Sequence, residues 1–229
     1  MHHSNDTLNI FKGYIIMAFC YREVGIEGVD KLAWYTGDDW SFYYVLKDWK
    51  NHKEYFFEHM TKFDTIVQAG GHCGMYPRFY GNYFSNVYTF EPNKRSFNLL
   101  DKNCVDNDAT AYHKFNTGLG AEESTTAFLD DTCRDNTGKH NIVDGKVGKH
   151  KIITLDSLDL PSCDVIHLDV EGYEVPALQG AENTINKFNP LIILETCFDK
   201  DAAVAHMATL GYDPVIELKN DTVFLPKQA

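Results

Sequence analysis

The stretch Ile66-Val67-Gln68-Ala69-Gly70-Gly71-His72-Cys73-Gly74, followed by Val87-Tyr88-Thr89-Phe90-Glu91-Pro92, decides the fold. It reads as a buried strand, a glycine-rich turn, a connecting helix and a second strand that ends on a carboxylate. Glycine has no Cβ, so such a turn lets the backbone pass close under a ligand. A glutamate at the tip of the next strand can accept hydrogen bonds from two vicinal ribose hydroxyls. Together these features describe a nucleoside site at the carboxyl edge of an open α/β sheet.

Strands and helices alternate outward from this unit. Residues 64–68 are a short β run, and 75–84 a helix with Pro77 in its first turn, where a missing N–H is harmless. Residues 87–90 form a strand, 93–103 a helix, and 109–115 a third strand. Residues 124–129 and 152–155 read as extended. Between them, 130–150 is polar and aperiodic, a loop or a loose hairpin; a loop this long is either a functional lid or a solvated insertion. Val165-Ile166-His167-Leu168-Asp169-Val170 has the unbroken apolar character of a buried parallel strand. Residues 173–188 read as one helix, 191–195 as a strand ending on Glu195, and 201–210 as a helix stopped by Gly211. Residues 214–218 and 222–225 flank a hairpin turn. Alternating βα units require a mostly parallel sheet with helices on both faces, here with a C-terminal antiparallel hairpin.

Residues 1–62 differ in composition and are read as an aromatic-rich N-terminal accessory segment beside a domain over 63–229. All three tryptophans, Trp34, Trp40 and Trp49, fall in it, with Tyr35, Phe42, Tyr43 and Tyr44 between them. The aromatics either pack beside the sheet or line a substrate pocket. Leu46, Trp49, Phe56, Phe57 and Met60 suit one face of a helix over 41–62.

With 229 residues the chain is long enough for one well-buried domain. A formal net charge of -12 argues against a nucleic-acid backbone as the main partner. The apolar stretch 14–20 is too short to span a bilayer and lacks a signal-peptide cleavage pattern. Cys20, Cys73, Cys104, Cys133, Cys163 and Cys197 are scattered without a CxxC pair, which suits a reducing cytoplasm and gives no zinc spacing.

A dinucleotide dehydrogenase would carry a fuller G-x-G-x-x-G, whereas Ala69 takes the first glycine position here. The glycine turn, Phe90-Glu91-Pro92, Thr154-Leu155-Asp156-Ser157-Leu158, Ile166-His167-Leu168-Asp169-Val170-Glu171-Gly172-Tyr173-Glu174 and Leu178-Gln179-Gly180-Ala181-Glu182 resemble the FkbM methyltransferase family over about residues 60–225. The Asp-Val-Glu-Gly-x-Glu block is the most specific of these. The resemblance implies a Rossmann-like class I methyltransferase fold with a seven-stranded sheet, and S-adenosylmethionine as cofactor. It implies O-methylation of a hydroxyl on a sugar, polyketide or similar small molecule. Gln68 and His72 stand where the family pattern usually has aspartate and asparagine. Gln68 can hydrogen-bond the cofactor's methionine portion or the loop backbone but cannot pair with its ammonium as an ion.

On this reading the cofactor site comprises Gln68, Ala69, Gly70, Gly71, His72, Gly74, Glu91, Pro92, Asn116 and Asp169. Glu91 takes the ribose hydroxyls, and the 116–119 stretch borders the adenine. Asp169 and Glu195 end adjacent strands at one edge and face the transferred methyl, with Glu171 beside them. Strand alternation points His167 to the same side as Asp169. An imidazole with an ordinary pKa of about 6.5 suits proton removal, though a hydrogen-bonded core histidine one pleat below the site is the stronger reading of the two. Asp169, Glu171, Glu174 and Glu195 also offer oxygen ligands to a divalent cation. Carboxylates alone do not specify a metal, so metal-free positioning is the expectation. Two further readings stand beside the methyltransferase. One is a catalytically silent binding module weakened at Gln68, the other a nicotinamide-dependent oxidoreductase.

Overall fold

The structure is a computed structural model that describes residues 19–130, 137–138, 141–143, 148–196 and 199–227. Most of the 14–20 stretch and much of the 130–150 loop lie outside the described residues. The elements, in order, are β1 (Phe19–Ile26), β2 (Val29–Tyr35), α1 (Asp39–Glu58), β3 (Thr65–Ala69), α2 (Met75–Tyr80), β4 (Asn86–Phe90), α3 (Lys94–Asn103), β5 (Ala111–Phe115), β6 (Gly118–Leu119) and β7 (Ser124–Asp130). There follow β8 (Asn141–Val143), β9 (His150–Ile153), β10 (Val165–Leu168), α4 (Glu174–Gln179), α5 (Glu182–Phe188), β11 (Leu191–Glu195), α6 (Lys200–Thr209), β12 (Tyr212–Glu217) and β13 (Asp221–Pro226).

The seven-stranded sheet runs β12-β13-β11-β10-β3-β4-β5, and only β13 is antiparallel to its neighbours. This is the Rossmann-like class I methyltransferase architecture expected from the sequence, with its C-terminal hairpin. Alternation along the buried strands feeds two cores. Ile66, Val87, Val165 and Ile193 pack with residues of α1 to α3, whereas Val67, Ile166, Ile192 and Phe224 pack with residues of α4 to α6. Helices therefore cover both faces. Trp49, Phe56 and Met60 join the first core, so the α1 segment shares its apolar interior with the sheet.

Two local outcomes go beyond or against the sequence reading, and a third decides between two of its alternatives. Residues 19–35 form a β1–β2 hairpin whose outer face leaves Phe19 and Tyr21 exposed, which removes the alternation that marks a strand. The helix read over 173–188 is two helices, because the Asp156 carboxylate accepts from Asn183 N (2.9 Å) and Thr184 N (2.8 Å) and so starts α5 afresh. Gly180 sits at that break, where a Cβ would meet the Gly120 carbonyl oxygen at 2.0 Å. Within the 130–150 stretch, β8 pairs antiparallel with the end of β7, so its described part is a hairpin.

The order β10-β3-β4 puts the chain reversal between β3 and β10, whose register pairs Ala69 with Leu168. Loops leaving these two strands depart toward opposite faces and leave a crevice, which is where ligands bind in such sheets. Gly70 makes that junction fit: its φ is +82°, and an added Cβ would lie 1.7 Å from the Asp169 carbonyl oxygen. A Gly70→Ala substitution should cost about 3–5 kcal/mol, from backbone overlap together with left-handed strain. Urea unfolding of the variant measures this, and a loss below 1 kcal/mol, about the median for any point mutation, would show that the junction relaxes freely.

Candidate active site

A cavity of about 390 Å³ opens at this crevice. Gly70 N and Gly71 N both donate to the Phe90 carbonyl (3.1 and 2.9 Å), which draws the tip of β4 against the glycine turn. His72 follows in the left-handed region (φ 45°), and its N–H donates to Glu91 Oε2 at 2.8 Å. Asn93 N donates to Glu91 Oε1 at 2.6 Å. The Glu91 carboxylate is thus held from both sides by backbone donors. Burial raises its pKa to about 7, against the pull of those two N–H groups. Asn116 lies outside the cavity wall and braces it, its Nδ2 donating to the carbonyls of Glu91 (2.8 Å) and Pro92 (3.2 Å). Gly118 and Leu119, just beyond it, do line the cavity.

The opposite wall is acidic. Asp169, Glu171 and Glu195 each bring an oxygen within 4.8 Å of the others, a spacing able to hold a metal ion. Burial pushes the Asp169 carboxyl well up, and the charges of Glu195, Glu171 and Asp221 push it further. The Glu195 side chain lies against Asp169 and, by its charge and its hydrogen-bonding contact, favours the protonated form of Asp169. Glu174, read as a fourth ligand, does not join the group. It is buried, and its Oε1 accepts from Val170 N (3.1 Å) and Gly172 N (3.3 Å), shaping the loop that presents Asp169 and Glu171.

Of the residues singled out from the sequence, Ala69, Gly70, Gly71, His72, Glu91, Pro92, Asp169, Glu171 and Glu195 line the cavity. Gln68 and Gly74 do not. Gln68 is fully buried, its amide donating to the Ala69 carbonyl (3.0 Å) and accepting from Thr89 Oγ1 (3.1 Å). It fixes the strand end and does not face a ligand. Gly74 caps the start of α2 in the left-handed region (φ 87°).

Several wall residues carry no local sequence signal. Asp48 comes from α1, beside the Tyr44 already noted among the aromatics, Thr137 from the 130–150 stretch, Asn220 from the turn before β13 and Asp221 from the first position of that strand. Trp40 is 53 % exposed and stacks on Tyr44 with ring centroids 4.8 Å apart. Trp34, by contrast, is buried edge-on against Phe42 and His72. Both readings of the aromatic segment hold: Trp49 is core, Trp40 lines the cavity, and Trp34 belongs to the core and also reaches the cavity wall.

His167 is the candidate catalytic residue that the structure removes from the site, in favour of the core-histidine alternative. It shares the Asp169 side of the strand but lies one pleat deeper, 1 % exposed, beneath Phe56, Tyr76 and Tyr80. Its Nδ1 is 2.9 Å from the Tyr80 hydroxyl. Burial lowers its pKa to about 3, so it stays neutral and faces no ligand. The candidate general base of the sequence reading is a core histidine. Because the unfolded chain protonates this ring near its ordinary value and the folded chain does not, stability is lost as pH falls below that value. The loss attributable to His167 should be about 1 kcal/mol between about pH 7.5 and 5.5, and absent in His167→Asn. Parallel denaturant titrations measure it, and equal pH slopes in both proteins would place the ring in a solvated setting.

Comparison with known proteins fits this geometry. The model of the methyltransferase FkbM domain matches residues 72–214. The hexuronic acid methyltransferase AglP of Haloferax volcanii is 28 % identical over 113 residues, 48 % of this chain and 46 % of that protein. The chain's match thus spans about half the length of this curated relative. Among solved structures, a methyltransferase FkbM from Methylobacillus flagellatus KT aligns over 82 % of this chain and 54 % of its own, at 15 % identity and a TM-score of 0.48. The tRNA (uracil-54, C5)-methyltransferase of Pyrococcus abyssi, solved with S-adenosyl-L-homocysteine, aligns over 90 % of this chain and 43 % of its own, at 12 % identity and a TM-score of 0.49. With the family model covering more than half of its residues, the chain belongs to the methyltransferase FkbM domain family.

Proposed function

We propose that this protein is an S-adenosylmethionine-dependent methyltransferase that O-methylates a hydroxyl of a sugar or similar small molecule. The observation that carries the reading is Glu91: a buried carboxylate held by two backbone N–H groups at the tip of β4, beside a turn that tolerates no Cβ. Each of its oxygens keeps a second lone pair for a ribose hydroxyl. Ala69, Gly70, Gly71 and His72 provide the close backbone approach, and Gly118 and Leu119 flank the base.

Bound S-adenosylmethionine supplies a methyl group on a sulfonium, a leaving group that departs as a neutral thioether. The chain's own task is to align an acceptor oxygen with that methyl and to remove its proton. Asp169, its pKa raised by burial and by Glu195, and Glu195 beside it form a carboxylate pair able to take it. Glu171 and Asp221 add negative potential that favours the cationic cofactor. The same oxygens suit a divalent cation, but no residue of the wall demands one, and metal-free positioning is retained as the reading. Trp40 and Tyr44 offer the acceptor a flat face. That AglP is a hexuronic acid methyltransferase supports a carbohydrate acceptor. No helix among the described residues is long and apolar enough to cross a membrane.

Ribose hydroxyls donate to a carboxylate and not to a carboxylic acid, so binding should favour ionised Glu91. With its pKa near 7 in the free protein, affinity for S-adenosylhomocysteine should weaken below that value, by up to about tenfold per pH unit. Calorimetry in buffers of different ionisation heat should show proton release on binding, and Glu91→Ala should abolish both the affinity and its pH dependence. Wild-type protein that does not bind would overturn the reading in favour of a silent module. Trp40→Ala should raise the acceptor KM about three- to tenfold, the value of one ring face, while leaving cofactor affinity unchanged. An unchanged KM across a sugar series would remove the stacking role.

A further inference from the structure

The 130–150 stretch touches the glycine turn through one described residue. Thr137 is 1 % exposed although it lies far in sequence from everything it contacts. Its hydroxyl donates to Asp38 Oδ2 at 2.5 Å, and its Oγ1 is 2.8 Å from His72 Nε2. Asp38, also 1 % exposed, is the N-cap of α1 and takes the Ser41 N–H (3.2 Å) and the Ser41 hydroxyl as well. A threonine hydroxyl has a single proton, and that proton is committed to Asp38. The contact with His72 can then be a hydrogen bond only if Nε2 carries a proton and donates. Three segments distant in sequence, the α1 cap, the glycine turn and the 130–150 stretch, therefore meet at one hydroxyl.

What this node holds is the ring of a residue in an unfavourable backbone state. His72 is not glycine, yet it occupies φ 45°, a conformation that persists only where its surroundings enforce it. Trp34 lies edge-on to the His72 ring, with centroids 5.0 Å apart, and Tyr35 flanks it at 6.0 Å. Thr137 Oγ1 is a polar anchor of the ring, with Cys73 Sγ farther off at 3.8 Å from the same Nε2. The backbone N–H of His72 is one of the two donors that fix Glu91.

We propose that Thr137 is a positioning residue for the cofactor site. By fixing the His72 imidazole against Asp38, it holds the left-handed turn whose N–H orients the Glu91 carboxylate. The inference rests on the cofactor reading above and extends it to a residue outside the glycine turn.

The test is a double-mutant cycle read by S-adenosylhomocysteine affinity and by thermal unfolding. Thr137→Val keeps the shape and removes the hydroxyl; it should weaken binding about tenfold, the worth of one hydrogen bond to a charged or polar partner in a buried site. Thr137→Ser restores the hydroxyl and should bind within about twofold of wild type, within the scatter of a retained hydrogen bond. In a His72→Ala background, Thr137→Val should cause no further loss of affinity, although it still removes a donor from Asp38 and lowers the unfolding temperature. Wild-type affinity in Thr137→Val would overturn the proposal, as would an equal loss with and without the imidazole, since the hydroxyl would then act by another route. A wild-type protein that fails to bind overturns the cofactor reading itself, which separates that failure from this one.

Discussion

The backbone contact between Gly70 and Asp169 is the constraint on which the site depends. Two adjacent parallel strands, β3 and β10, end level with each other, and their loops must leave at once toward opposite faces of the sheet. Only a residue without a Cβ can turn away while its neighbour's carbonyl lies within bonding range of where that atom would be. Once Gly70 has turned, its N–H and that of Gly71 both find the Phe90 carbonyl, and the tip of β4 is drawn in. Glu91 then falls within reach of His72 N. Removing the first contact would loosen each of the later ones, because none has another anchor of the same kind on the glycine turn.

The electrostatics of the cavity work against the free protein. Glu91 is raised by burial alone, whereas Asp169 is raised by burial and then by three neighbouring carboxylates. Folding has gathered like charges at the sheet edge, where a stability criterion would have dispersed them. Both carboxyl groups are shifted toward their protonated forms. A ligand with positive charge near Asp169 and hydroxyl donors near Glu91 would relieve both walls, and the proposed cofactor has that distribution. Concentrated strain of this sort is a common mark of a binding site.

How much of this could be read from the sequence depends on the range of the interaction that fixes each part. The buried strands were legible because β-branched and apolar runs are local, and the glycine turn with Glu91 was legible because both lie within one βαβ unit. Strand parity correctly put His167 on the same side as Asp169. Parity says nothing of depth, however, and the cover that Phe56 and Tyr80 give to His167 comes from elements 87 to 111 residues away. The division of one long helix into α4 and α5 is equally non-local, since the cap that starts α5 is Asp156, 27 residues upstream of the amide it accepts. Thr137 and Asp221 had no signal at all, one lying in an aperiodic stretch and the other reading as a turn residue. Gln68 shows the converse: a residue at a familiar motif position whose side chain is spent inside the fold.

The positions of the two walls bear on substrate. The match to the family model runs from His72 to Pro214 and contains Glu91, Asp169 and Glu195. Trp40, Tyr44 and Asp48 precede it, on successive turns of α1 and therefore on one face of that helix. Asn220 and Asp221 follow it, and the Asn220 amide donates to the Tyr44 hydroxyl, so the two flanks close on each other across the cavity. The family match thus begins just after Gly70 and Gly71 and carries Glu91 and the carboxylate pair, while the aromatic wall is built from segments outside the match. On the proposed function, chemistry and specificity are separable: a change at Trp40 or Asn220 should alter which acceptor is held without touching Glu91. For the same reason, a relative resembling this chain over half its length is a better guide to the reaction than to the molecule that undergoes it.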